Sequence, residues 1–148
     1  MKYTLEIDLD LPRDSVIELF DNPDNVSQWQ PDLIGFEHES GDPGRVGARS
    51  RLRYTMGKKE IEMIETITSR QLPDEFSATY EAKGVWNQVV HRFIDVGPKQ
   101  TRWVLDAVFR CNGSMSVMAF LMPGMFKKQT LKYMQQFKAF AEEQLQKA

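Results

Sequence analysis

Cysteine occurs once, at Cys111, so no internal disulfide can staple the chain. Histidine occurs only at His38 and His91, neither with a carboxylate at ligand spacing, and a lone cysteine builds no thiolate cluster; no metal site is expected. Long apolar runs are missing as well. The longest, Met115 to Phe126, covers about 12 residues against the roughly 20 that a bilayer-spanning helix needs, so integral membrane association is not expected. Neither charge sign dominates: 19 basic and 21 acidic residues give a formal charge of -2, which supplies no basic face for a phosphate backbone and argues against nucleic acid as a partner. There is no glycine-rich phosphate loop and no nucleophile elbow, and Cys111 runs into an Asn-Gly turn with no histidine beside it. No cofactor is implied by any of these patterns.

The first ten residues, MKYTLEIDLD, alternate apolar with acidic positions where a secretory signal would carry an apolar core, so a cytoplasmic location is the expectation. Nine Phe, four Tyr, three Trp and eight Met are enough apolar material to fill a core or line a cavity. No repeat or linker divides the chain, and residues 1–148 read as one domain, a monomer or a homodimer.

Tyr3, Leu5, Ile7 and Leu9 share one side of an opening strand, opposite Thr4, Glu6 and Asp8. The period then changes: Val16, Leu19 and Phe20 form a helical stripe after Pro12, and the prolines at 23 and 31 leave room for a short second helix carrying Val26 and Trp29. From Leu33 the pattern is an antiparallel meander. A two-residue turn at Gly57-Lys58 pairs Tyr54 with Ile61, Leu52 with Met63 and Ser50 with Glu65 on one face, and Arg53 with Glu62 on the other. A turn at Lys83-Gly84 pairs Tyr80 with Asn87, Ala78 with Val89 and Phe76 with His91, and a looser loop at VGPKQ lets Phe93 face Trp103. The last strand then points Trp103, Leu105, Ala107 and Phe109 inward. From Ser114, a plausible N-cap, to about Gln146 the helical period returns, with Thr130, Met134, Phe137, Ala141 and Leu145 as its apolar stripe. Pro123 and Gly124 predict a kink in that helix near Met122. The expected class is α+β: strand, two short helices, six strands, and a long helix laid across the concave face of a curved antiparallel sheet.

This order, with the stretches DNPDNVSQWQP, GDPGRVGARSRLRY, YEAKGVWNQVVHRF and LMPGMFKKQTLKYMQQFKAFAEE, resembles the polyketide cyclase/dehydratase branch of the START-like, birch-pollen-allergen-like superfamily. The fingerprint is Asp21, Pro23, Val26, Trp29 and Pro31, backed by the Pro-Gly break. The resemblance implies a helix-grip fold, with seven strands curling around the long helix and a hydrophobic ligand held between them. Members bind lipids, sterols, polyketides, plant hormones or quinones, and some are cyclases, dehydratases or chaperone-associated partners. Catalytic residues are not shared across the superfamily, so the resemblance assigns none.

Face parity sorts the residues without reference to any family. The polar residues expected on the helix-covered side are Ser50, Tyr54, Glu65, Tyr80, Asn87 and His91. Around them the expected lining is Leu52, Ile61, Met63, Phe76, Val89, Phe93, Trp103, Leu105 and Phe109 on the sheet, with Met118, Met122 and Phe126 on the helix. His91 can act as a base or orient a ligand carbonyl, or it is a core histidine; Glu65, with a raised pKa in an apolar cavity, can donate a proton, or it reaches water at a strand end. Arg49, Arg51 and Arg53 point outward, where Glu60 and Glu62 can pair with them. Three functions fit. The first is binding of a small hydrophobic molecule, lipid, polyketide or other aromatic or isoprenoid-like compound, as carrier or sensor. The second is a cyclase or dehydratase using His91 or Glu65. The third is a chaperone-linked or interaction module whose partner covers the outward Val104 and Val108.

Overall fold

A computed structural model describes residues 1–147. Strand β1 (Lys2–Leu9) is followed by helix α1 (Arg13–Phe20), a 3-10 turn (Pro23–Asn25) and the single-turn helix α2 (Val26–Trp29). Six strands come next: β2 (Leu33–Ser40), β3 (Arg49–Met56), β4 (Lys59–Gln71), β5 (Glu75–Ala82), β6 (Val85–Gly97) and β7 (Gln100–Cys111). Helices α3 (Ser114–Leu121) and α4 (Met125–Lys147) complete the chain. The strands form one antiparallel sheet in the order β1-β7-β6-β5-β4-β3-β2. Every connection from β2 to β7 therefore joins sheet neighbours, which is what short turns between alternating segments dictate.

The turn residues fix the register. Gly57 has φ +62° and Gly84 φ +77°, left-handed values that cost glycine little, so each closes its hairpin at the position the sequence indicates. Tyr54 faces Ile61, Leu52 faces Met63 and Ser50 faces Glu65; Tyr80 faces Asn87, Ala78 faces Val89 and Phe76 faces His91; Phe93 faces Trp103. On the outer face Arg51 pairs with Glu39 and Glu62, and Arg53 lies 4.0 Å from Glu60. Val104 and Val108, also on that face, are half-buried.

Helix α4 lies against β1 and α2. At its start the Tyr3 hydroxyl reaches Thr130 Oγ1 at 2.6 Å and donates to the Phe126 carbonyl, and Phe109 stacks on Phe126 with centroids 4.4 Å apart. Further along, Lys138 Nζ donates to the Asp8 carbonyl and the Asp10 amide donates to Glu142. Met134, Phe137, Phe140 and Ala141 are buried, whereas Leu145, expected on the same stripe, is exposed.

Two other details depart from the sequence reading. The expected helix from Ser114 to Gln146 with a kink is two helices: Met122 takes φ -130°, ψ 66°, outside the helical region. The residue before a proline is pushed away from α geometry, and Pro123 has no N–H to give the Ala119 carbonyl, so the chain stops and restarts. The residue before α3 that closes it is Gly113 at φ +60°, and the Ser114 side chain makes no cap.

Candidate ligand site

The concave face has a sealed half and an open half. In the sealed half, Trp103, Phe93, Leu105 and Ala107 pack under Phe137 and Met134 of α4 and under α1. Phe20, from α1, is the hub of this cluster, with its ring edge-on to Phe93 at 4.9 Å, His91 at 5.0 Å, Trp103 at 6.0 Å and Phe137 at 6.0 Å. Trp29 closes the corner against Phe137 at 5.2 Å. His91 sits in this aromatic box, 7% exposed. Its Nδ1 accepts a hydrogen bond from Trp103 Nε1 at 3.1 Å, which requires an unprotonated Nδ1 and places the ring proton on Nε2. Burial pushes the imidazole pKa down to about 3, so the ring is neutral at physiological pH.

Toward the two hairpins the same face opens. Ile61, Met63, Glu65, Phe76, Tyr80, Val85 and Asn87 point to the concave side and yet keep accessible surface. A second, smaller cluster of Leu33, Leu52 and Tyr54, with Val26, Met63 and Tyr133 against it, forms the far wall. Tyr54 donates to Gln30 Oε1 at 2.6 Å and lies 6.4 Å, ring to ring, from Tyr133 of α4.

The polar groups of the open half act on one another. Burial pushes the Glu65 carboxyl above the usual carboxylate range, while a hydrogen bond from the Tyr80 hydroxyl pulls it back. Tyr80 and Tyr54 are both raised, first by burial; the Glu65 charge comes next at Tyr80, and Tyr133 ahead of Glu65 at Tyr54. Asn87 Oδ1, opposite Tyr80 in the ladder, is buried and has no hydrogen-bond partner. Two shallow surface grooves of about 310 and 330 Å³ lie elsewhere, between α2 and the second half of α4 and at the β1–β7 edge, and neither is lined by Glu65, Tyr80 or Asn87.

The structure thus divides the residues that the sequence brings to one face. Phe93, Trp103, Leu105, Val89 and His91 belong to the sealed half, Leu52 and Tyr54 to the far wall with Met63 packed on it, and Ile61, Glu65 and Asn87 to the open half; Phe76, beside Phe20 and His91, and Tyr80, packed against the sealed cluster, lie at the border between the halves. Phe109 is buried beneath Phe126. Met118 and Met122 are exposed on α3 and at its end. Glu65 and His91 lie on different strands in different halves. Sequence reasoning missed Gln30, Tyr133 and Phe20. Gln30 and Tyr133 follow no strand parity, and the stripe that contains Phe20 shows that it is buried but not what it meets.

Among the described residues no helix is long and apolar enough to cross a membrane, and no group of three or more His, Cys, Asp or Glu converges to hold a metal ion. No family model matches the chain, and no curated protein does. Solved structures do. A Zhui aromatase/cyclase from Streptomyces sp. R1128 superposes with a TM-score of 0.80 at 12% identity, covering 98% of this chain and 95% of its own. A START superfamily protein from Mycobacterium smegmatis gives 0.76 at 12% identity, covering 96% and 97%. The protein Ara h 8.0201 gives 0.74 at 10% identity, covering 97% and 98%. Seven antiparallel strands around a long C-terminal helix, matched from end to end by these structures, give this chain the helix-grip fold that they share.

Proposed function

We propose that the open half of the concave face binds a small hydrophobic molecule bearing a hydroxyl or carbonyl, and that the single domain acts as its cytoplasmic carrier or sensor. The observation that carries this reading is the row Ile61, Met63, Tyr80 and Val85: apolar or amphipathic side chains that face the helix side of the sheet and remain accessible. Core positions of a closed sheet do not stay accessible, because packing normally fills them to crystal-like density. Tyr80 and the unpartnered Asn87 Oδ1 supply the few polar contacts that orient a guest in such a site.

The pairing of Glu65 with Tyr80 across the β4–β5 ladder favours a second reading, in which the same site is catalytic. A carboxyl whose pKa is raised by burial can donate a proton to a ligand carbonyl while Tyr80 polarises it. In this reading the acid is Glu65, and we assign His91 a structural part, because its Nδ1 is engaged by Trp103. Native mass spectrometry of the protein purified from its own host tests both readings. A bound hydrophobic molecule released unchanged supports the carrier; one returned chemically altered, with alteration lost in Glu65→Gln, supports the enzyme. Protein free of any guest, which also fails to take up aromatic or isoprenoid probes, contradicts both.

A further inference from the structure

The most exposed apolar surface of the molecule is not at the site but on α3. Among its eight residues, SMSVMAFL, there is no charge, and none is buried. Val117, Phe120 and Leu121, at i, i+3 and i+4, form one stripe, with Phe120 85% and Leu121 70% exposed. Scattered apolar side chains on a surface need no explanation, but a continuous stripe marks an interaction face.

Its surroundings are basic. Lys127 and Lys128 follow directly on the Pro-Gly break, are exposed, and have no ion-pair partner among the described residues. Lys83, likewise exposed, precedes Gly84, where an added Cβ would lie 3.1 Å from Met115 of α3. The Lys58–Lys59 pair tips the other hairpin at the same end of the sheet. The acidic residues of that end include Glu60, which lies 4.0 Å from Arg53, Glu81, and Asp32 at the start of β2, whose carbonyl accepts from the Thr55 amide.

We propose that α3 and the lysines around it dock this protein on an anionic membrane surface, with Phe120 and Leu121 entering the interface and Lys127 and Lys128 meeting the headgroups. An uncharged, exposed apolar helix beside unpaired lysines is an arrangement that binds such surfaces, through buried apolar area plus attraction to anionic lipid. A second copy of the chain is a poorer occupant, because α3 against α3 brings two lysine rims face to face. The surface is independent of any guest in the concave face, although the open half lies at the same end.

Flotation of the full chain with vesicles of phosphatidylcholine containing phosphatidylglycerol, against vesicles of phosphatidylcholine alone, tests the proposal. Binding to the anionic vesicles only, weakened by salt, is expected. Lys127→Ala and Lys128→Ala are each expected to weaken it about fivefold. Phe120→Ser with Leu121→Ser is expected to weaken it at least about tenfold, with an unchanged circular dichroism spectrum because both side chains are exposed. Absence of vesicle binding overturns the proposal. So does equal binding to neutral vesicles that ignores the lysines, or a dimer in light scattering that Phe120→Ser dissolves while vesicles leave it unaffected.

Discussion

Replacing His91 with glutamine is expected to remove a specific part of the acid sensitivity of this fold. In the native state the imidazole is buried in an aromatic box and its pKa is pushed down to about 3, against an ordinary 6.5 once the chain unfolds. Below pH 6.5 the unfolded state binds a proton that the folded state does not, so stability falls as pH falls. Because the folded pKa is well below 5, the loss between pH 7.5 and pH 5 is set by the unfolded value: roughly 1.5 pH units at about 1.36 kcal/mol each, or about 2 kcal/mol. Glutamine keeps an acceptor for Trp103 Nε1 and does not titrate. Urea unfolding followed by tryptophan fluorescence, run on both proteins at both pH values, isolates the effect, since the contributions of all other groups cancel in the double difference. Wild type is expected to lose about 2 kcal/mol more than His91→Gln. Equal losses, or an NMR titration of His91 with its midpoint near 6.5, would refute the buried, Trp103-bound imidazole.

Glu65→Gln is expected to act in the opposite sense. The folded carboxyl is raised, so its ionisation costs stability as pH rises from about the unfolded value of 4.5. The variant therefore gains on wild type as pH rises from about the unfolded value to the raised folded one, so the comparison is made from pH 4 to pH 8 in the same urea assay; a constant difference would place Glu65 in water. Phe137→Ala removes a fully buried ring that meets Phe20, Trp29 and Trp103, and is expected to cost about 3–5 kcal/mol by thermal or urea denaturation. A cost near that of a surface substitution would mean that α4 does not seal this half of the sheet. Pro123→Ala restores an amide that can bond the Ala119 carbonyl, so hydrogen exchange at residues 122, 124 and 125 is expected to slow as α3 and α4 join. Exchange as fast as wild type would show that the break does not depend on the proline.

The strand registers were legible because Gly57 and Gly84 fix two hairpins, and period-two alternation then assigns every side chain on four strands to a face. Depth was not legible. Parity places His91 and Glu65 on one side of the sheet, but only the path of α4 and the reach of Phe20 from α1 decide that His91 is sealed and Glu65 open. The partner of His91 is diagonal: Leu105 is its ladder neighbour and Trp103 lies two residues earlier in β7. Such diagonal contacts depend on rotamers that alternation does not specify. The Pro-Gly pair announced a bend, and its strength as a full break came from Met122 leaving helical geometry. Gln30 lies outside the meander, in the loop after α2, and its bond to Tyr54 follows from where Trp29 anchors that loop.

Methyl NMR of the eight methionines during titration with aromatic and isoprenoid probes tests the central claim most directly. Met63 borders the open half, whereas Met134 is fully buried against the sealed core. A guest in the proposed site is expected to shift the Met63 methyl with saturation and leave that of Met134 in place. Titrations that move no methyl, or only those of Met1 and Met56 at exposed positions, would contradict a ligand site on the concave face.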